Sequence, residues 1–126
     1  MEFPENLKYT PTHEWLKVEG DKGSFGITDF AQSELSDVVF VEFKPVGTKV
    51  EKGKSVGTIE AVKAVSDIFA PVSGEIIEVN TKVTTSPDLI NKSPYNDGWL
   101  VKIKIANSNE VTTLLSKSDY EKIAHH

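Results

Sequence analysis

One lysine, Lys63, lies in a run of small and apolar residues, VGTIEAVKAVSDIFAPVSGEI, at positions 56 to 76. Its nearest ionisable neighbours are two acids, Glu60 three positions before it and Asp67 four positions after it. The residues on either side have strand character, so Lys63 is predicted at or beside a reversal of the chain. A lysine at a hairpin tip exposes an amine that can be acylated, and the flanking acids would then mark the loop for a basic enzyme surface. On spacing alone, the alternative is a charge that limits aggregation of the strands.

Other residues that could do chemistry form weaker patterns. His13 stands beside Glu14, but the chain has no cysteine and no second internal histidine, so no metal site is predicted. Ser33, Ser36 and Ser73 are conceivable nucleophiles, yet no second histidine stands ready as a base for them. Ser73 also lies in a PVSG turn rather than in a nucleophile elbow. The residues therefore do not supply the nucleophile and base that a hydrolase requires.

The composition narrows the class of protein. A chain of 126 residues fits one domain with one core. The net charge is −5 and all 14 basic residues are lysines, so the arginine contacts typical of nucleic-acid binding are missing and no such partner is expected. No apolar run approaches the ~18 residues of a membrane span. The amino terminus has no targeting pattern, so a cytoplasmic location is expected, with a mature organellar form as the alternative.

The first half of the chain predicts mainly strands. HEWLKVE (13 to 19) and SFGIT (24 to 28) are predicted to form a hairpin across the turn GDKG. TDFAQSELSD (28 to 37) has helical spacing, with Asp29 as the predicted cap and Gln32 three residues later. From position 38 onward, short branched and aromatic segments broken by proline and glycine are typical of a sandwich or barrel.

The second half predicts further strands and two helices. PVGTKV (45 to 50) is echoed by PVSGEI (71 to 76), one on each side of the hairpin lysine, which suggests a quasi-symmetric core. TTSPDLINK predicts a short helix capped by Ser86, and WLVKIKI alternates as a half-buried strand. NEVTTLLSKSDYEKIA predicts a helix at the C-terminus, with Ser118 and Glu121 as a capping box.

Five motifs in order resemble the H proteins of the glycine cleavage system, which are the lipoyl-carrying members of that system. The motifs are YTPTHEWLKVE, GITDFAQSELSDVVFVE, VGTIEAVKAVSDIFAPVSGEIIEVN, LINKSPYNDGWLVKIKI and LLSKSDYEKI, and together they cover almost the whole chain. The departures are small, since the family more often has serine at Ala61, leucine at Phe43 and glycine at Asn96. None of them falls on the hairpin lysine or its two flanking acids.

The resemblance implies that Lys63 carries lipoate in amide linkage. It also implies a mainly β fold, the barrel-sandwich hybrid of lipoyl and biotinyl domains, with a few short helices including one at the C-terminus. The chain is then one lipoyl-type domain, residues 1 to 126, in which His125 and His126 are consistent with the remnant of a purification tag. The absence of cysteine agrees with this interpretation, because the dithiol arrives on the prosthetic group.

The resemblance further implies a carrier that has no active site of its own. Its partners are a pyridoxal-phosphate glycine decarboxylase (P protein), a tetrahydrofolate-dependent aminomethyltransferase (T protein) and dihydrolipoyl dehydrogenase (L protein). An aminomethyl group passes from the first enzyme to the second, and electrons then pass to the third. A lipoate ligase or lipoyl transferase must attach the arm, and Glu60 and Asp67 are the predicted recognition residues for it or for the other partners. Such a shuttle is best served by a monomer.

The loaded arm ends in a cationic, hydrolysable group, which a carrier should shelter from water beside a carboxylate. The resemblance places THEW near the docked arm, so Thr12, Glu14 and Asp67 are the predicted docking residues. The alternative for Glu14 is a solvated strand residue.

Three further interpretations remain at this point. A biotinyl carrier shares the fold, but such domains resemble one another in having methionines beside the lysine, where this chain has Val62 and Ala64. An H-like protein that relays lipoyl groups to other enzymes would need the same Lys63. An unmodified interaction module would keep the hairpin only as a binding surface.

Overall fold

The computed structural model describes residues 1 to 124, so His125 and His126 lie outside the described residues. Within this part of the chain the strands are β1 (Lys8–Tyr9), β2 (Glu14–Glu19), β3 (Lys22–Ile27), β4 (Val38–Phe43), β5 (Lys49–Val50), β6 (Ser55–Ala61), β7 (Val65–Phe69), β8 (Gly74–Val79) and β9 (Val101–Ile105). The helices are α1 (Asp29–Leu35), α2 (Thr81–Thr85), α3 (Leu89–Lys92), a 3₁₀ helix (Ser108–Thr113) and α4 (Lys117–Glu121). The predicted mainly β fold with short helices, one of them at the C-terminal end, is confirmed.

The strands form two antiparallel sheets. The larger has the order β1-β2-β3-β9-β8-β5, and the smaller has the order β4-β6-β7. The predicted hairpin of β2 and β3 is confirmed, and Glu19 pairs with Lys22 across a tight turn. Gly20 in that turn has a φ of 64°, which glycine adopts without the steric cost that other residues bear.

The two echoing segments lie side by side. Lys49 pairs with Glu75, and Val50 pairs with Gly74, so β5 and β8 run antiparallel. The chain between them forms the smaller sheet's β6–β7 hairpin, in which Glu60 pairs with Val65. The β6–β7 hairpin that carries Lys63 therefore extends from the paired strands β5 and β8.

Two predicted helix caps that precede the C-terminal segment were wrong. The side chain of Thr28, not of Asp29, accepts the backbone N–H of Ala31 and caps α1, while Asp29 accepts a hydrogen bond from the Gln32 amide. Ser86 does not cap the helix that follows it, because it ends α2, a helix that the sequence analysis did not predict. Its carbonyl accepts the first N–H of α3.

The C-terminal segment is not one helix. The 3₁₀ helix ends at Thr113, and two residues later the backbone of Leu115 exchanges two hydrogen bonds with that of Tyr9 at 2.9 and 2.8 Å. A segment that pairs with β1 cannot also be helical, so α4 starts afterwards and is capped by Ser116 rather than by the predicted Ser118.

Two hydrophobic clusters hold the fold together. The larger fills the space between the sheets and includes Leu16, Phe25, Ile59 and Ile103. The smaller, called here the C-terminal cluster, contains Phe3, Leu7, Tyr9, Trp15, Phe30, Tyr120 and Ala124. Burial of each large side chain contributes about 1.5 to 3 kcal/mol, so the C-terminal cluster ties α4 firmly to β1 and β2. Across residues 1 to 124, no helix combines the length and the apolar character that crossing a bilayer demands.

Candidate functional site

Lys63 lies at the predicted reversal. β6 ends at Ala61 and β7 begins at Val65, and the backbone N–H of Ala61 donates to the carbonyl of Ala64 at 2.8 Å, which closes the turn. The N–H of Val62 donates to the carbonyl of Asp37 at 2.9 Å, so the tip is also attached to the segment before β4. Lys63 itself is exposed. The hairpin therefore presents the amine on a backbone that is held in place.

The surface beside the lysine is both apolar and acidic. Cross-strand pairing places Phe40, Glu60 and Val65 in one row on the outer face of the smaller sheet. Glu42, Thr58 and Asp67 form the next row on the same face. The exposed fractions are 71% for Val62, 66% for Val65 and 48% for Phe40, which are high for large apolar side chains. Glu60 and Asp67 thus flank an exposed apolar surface.

Glu14, at the start of β2, is a buried carboxylate with only 2% of its surface exposed. Its Oε1 atom accepts hydrogen bonds from the hydroxyls of Thr10, at 2.7 Å, and Thr12. Its Oε2 atom accepts the backbone N–H of Phe69 in β7 at 3.4 Å. The alternative that Glu14 is a solvated strand residue was therefore wrong.

Burial raises the pKa of Glu14 to about 7, because a buried carboxylate loses the water that stabilises its charge. The hydrogen bonds from Thr12, Thr10 and the Phe69 amide oppose this effect and lower the pKa in part. The site consequently holds a carboxyl group that ionises near neutral pH. A cation placed beside it would favour the ionised form.

The three predicted docking residues are not all in contact. Thr12 and Glu14 share a hydrogen bond, whereas Asp67 lies two residues before Phe69 on β7 and accepts the Ser55 hydroxyl at 3.4 Å. Sequence reasoning missed Thr10, which is buried and donates to Glu14. The signal for it was the pair of threonines in YTPTHEW, two hydroxyl donors within four residues of the acid.

A cleft of about 280 Å³ is lined by Thr10 and Thr12, the two residues whose hydroxyls donate to this carboxylate. Its other lining residues include Pro11, Pro71, Leu114 and one charged residue, Lys52. Its lining is mostly apolar, so it suits the aliphatic part of a bound group better than a fully charged one. A larger cleft of about 450 Å³ lies at the β5 edge of the larger sheet, away from this carboxylate.

The remaining candidate residues have structural partners. The Nδ1 atom of His13 lies 2.8 Å from the hydroxyl of Tyr120, and the Ser33 hydroxyl donates to the carbonyl of Phe30. Ser73 binds both oxygens of Glu110 through its N–H and its hydroxyl. Among residues 1 to 124, no group of three or more His, Cys, Asp or Glu side chains is arranged to hold a metal ion.

Comparison with known proteins gives the family. A family model described as "Glycine cleavage H-protein" matches residues 7 to 126. The chain belongs to this family. The "Glycine cleavage system H protein" of Chlorobaculum parvum is 56% identical over 122 residues, covering 95% of each chain. The protein of the same name from Carboxydothermus hydrogenoformans is 52% identical over 120 residues, covering 95% of this chain and 92% of the relative.

The glycine cleavage H-protein family is also matched in three dimensions. A crystal structure of a glycine cleavage system H protein from Mycobacterium marinum superposes with a TM-score of 0.87 at 39% sequence identity. The match covers 95% of this chain and 97% of that one. The predicted fold, the barrel-sandwich hybrid of lipoyl-type domains, is thereby confirmed.

Proposed function

We propose that this chain is the lipoyl carrier of the glycine cleavage system, with lipoate attached to Lys63. The observation that carries the proposal is the exposed lysine at the tip of a fixed hairpin in a member of the H-protein family. Lys63 would hold lipoate in amide linkage, and the bound group would supply a redox-active disulfide that can accept an aminomethyl group. The fit is good, because the neighbours of Lys63 are small and its amine faces solvent.

The acidic and apolar surface around the hairpin would serve the partners. Glu60 and Asp67 favour approach of a basic enzyme surface, while Val62 and Val65 offer apolar contact area next to the lysine. The partners are the P, T and L proteins together with the lipoate ligase or lipoyl transferase. The chain acts as their carrier, and it is proposed to do so as a monomer.

Thr12, Glu14 and Asp67 would receive the loaded arm. Val65, Asp67 and Phe69 alternate along β7 and so share one side of the strand between the hairpin tip and Glu14. The buried Glu14 carboxylate can pair with a cationic group, and its donors Thr10 and Thr12 also line the mostly apolar cleft, which would shelter that group. These residues would bind and orient the group while it travels between enzymes.

The attachment is tested by intact mass after incubation with lipoate, ATP and a lipoate-protein ligase. The parent and a Lys54→Gln variant, which lacks another exposed lysine, should gain one lipoyl group. Lys63→Gln should gain none. Failure of the parent to gain mass would overturn the proposal and favour the unmodified interaction module.

The docking role is tested on lipoylated, loaded protein. Glu14→Gln should lose the loaded group about tenfold faster than the parent, since a neutral amide does not stabilise the cation. Lipoylation itself should be unchanged. Glu19→Gln, an exposed acid at the other end of β2, is the matched control. Equal decay in Glu14→Gln and in the parent would remove Glu14 from the docking site.

A further inference from the structure

His13 has an unusual backbone conformation directly before Glu14. Its φ is 72°, in the left-handed region that non-glycine residues rarely adopt and that persists only when the surroundings enforce it. Three backbone hydrogen bonds enforce it here. His13 N–H donates to Thr10 at 3.1 Å, Thr10 N–H donates to Glu14 at 3.0 Å, and Thr28 N–H donates to His13 at 3.0 Å.

The His13 side chain is held from the other end of the chain. Its Nδ1 atom forms a 2.8 Å hydrogen bond with the hydroxyl of Tyr120 in α4. The same hydroxyl lies 2.7 Å from the Thr28 hydroxyl, which caps α1. The imidazole ring also packs on Phe30 at 4.8 Å between centroids. Side chains from α1 and α4 therefore fix the direction in which His13 points.

Tyr120 is itself fully buried, and its ring is held in place by neighbouring aromatic rings. Its ring stacks on Tyr9 at 4.7 Å with an interplanar angle of 9°, and Phe3 packs edge-on at 5.1 Å. Tyr9 immediately precedes Thr10, the first residue of the turn. The aromatic stack thus anchors the turn at its start, and the His13 ring anchors it just before Glu14.

From this geometry we infer that His13, held by Tyr120, is a positioning residue that aims the Glu14 carboxylate at its donors. The turn at residues 10 to 14 must keep two threonine hydroxyls and the carboxylate in register, while β7 brings the Phe69 N–H from the other sheet. That His13 positions the Glu14 carboxylate does not depend on the proposed docking role of Glu14. Only the functional importance of this positioning rests on that role.

The effect of His13 is geometric rather than electrostatic. Burial lowers the pKa of His13, and the Glu34 carboxylate opposes this only in part, so the ring is neutral at neutral pH. The Tyr120 phenol is neutral as well, because burial raises its pKa to about 12. Neither partner brings a charge to the Glu14 carboxylate at neutral pH. Removing their contact should change where the carboxylate lies without adding or deleting a nearby charge.

The test uses the unlipoylated full chain and two-dimensional NMR. In the parent, the Phe69 amide shift should follow the ionisation of Glu14, because that N–H donates to the carboxylate. Tyr120→Phe deletes only the phenolic oxygen and should reduce the amplitude of this titration by half or more. Tyr95→Phe is the matched control: its phenol is also partly buried, bonded to the Asp29 N–H and the Glu2 carbonyl. This control should keep the full amplitude.

A pair of His13 variants separates positioning from folding. His13→Ala removes the ring and should reduce the Phe69 amplitude, whereas His13→Asn tolerates the left-handed backbone and offers an amide in place of Nδ1. The asparagine should restore much of the amplitude. Amide spectra and melting temperatures establish that each variant is folded.

Full Phe69 amplitude in folded Tyr120→Phe and His13→Ala would overturn the inference. Because this readout needs no lipoyl group, it is separable from the proposed function. A reduced amplitude together with unchanged decay of the loaded Glu14→Gln protein would keep the positioning role and reject the docking role.

Discussion

The Glu14 carboxylate of the larger sheet lies 3.4 Å from the Phe69 amide nitrogen of the smaller sheet. This hydrogen bond joins the sheets through a group whose ionised form is disfavoured by burial. The fold therefore contains an acid at a position where burial of an apolar side chain would cost less free energy.

Glu14→Gln should change the pH dependence of stability. The folded-state pKa of about 7 exceeds the reference value of 4.5, so the folded protein binds an extra proton between these values. Stability then falls as pH rises from about 4.5 to 7, by up to about 3 kcal/mol for this group. Glu14→Gln should lack that loss. Urea unfolding at pH 5 and pH 8 gives the change in the free energy of unfolding for each protein. The same change in the parent and in Glu14→Gln would contradict the expectation.

Glu60→Gln and Asp67→Asn should slow lipoylation by a lipoate ligase. Removing one exposed charge near the lysine is expected to lower kcat/KM about fivefold at low salt, with a smaller difference at high salt. Glu75→Gln, an exposed acid on the larger sheet, should have no such effect. The measurement is the initial rate of lipoylation at two ionic strengths. Equal rates for all three variants would show that Glu60 and Asp67 do not contribute to recognition by the ligase.

Gly57→Ala should weaken the hairpin sheet. A Cβ at this position would lie 2.3 Å from the carbonyl oxygen of Glu42, which is backbone of the neighbouring β4 and cannot rotate away. We expect a loss of about 2 kcal/mol or more in the free energy of unfolding. Thr58→Ala, at the next and half-buried position, should lose less than half as much. A Gly57→Ala midpoint in urea equal to that of the parent would show that β4 moves freely.

Asn80→Ala should destabilise the region around α2. The buried Asn80 amide donates to the carbonyls of Asp97 and Trp99 at 2.8 and 2.7 Å and accepts the Lys82 N–H at 3.1 Å. Loss of these bonds should cost about 2 to 4 kcal/mol, because two carbonyls lose a buried donor and the helix loses its cap. Asn96→Ala, at an exposed site, is the control. Equal urea-unfolding midpoints for the two variants would contradict the prediction.

The sequence was sufficient for features that local patterns determine. The β2–β3 hairpin, the alternation of β9 and the reversal at Lys63 were predicted from residue type and spacing. The C-terminal helix was predicted too long, because the pairing of Leu115 with Tyr9 joins residues far apart in sequence. Thr28 and Asp29 are both residue types that cap helices, and only the backbone geometry distinguishes Thr28 as the cap of α1.

Only those contacts of the candidate site that join residues within one short motif could be predicted from the sequence. The Thr12–Glu14 contact links residues two apart, whereas the burial of Glu14 depends on β7 from the other sheet. The role of Tyr120 could not be inferred, since its hydroxyl meets His13 across 107 positions of sequence. No short-range pattern specifies such a contact.

Strand β7 connects the hairpin tip to the buried acid by a fixed number of residues. Val65 to Phe69 is four steps, or about 13 Å at the usual rise of a strand. Deleting one residue from this stretch would shorten it by about 3 Å and turn Asp67 to the opposite face. The length of this one strand thus sets the distance between the hairpin tip and the buried acid.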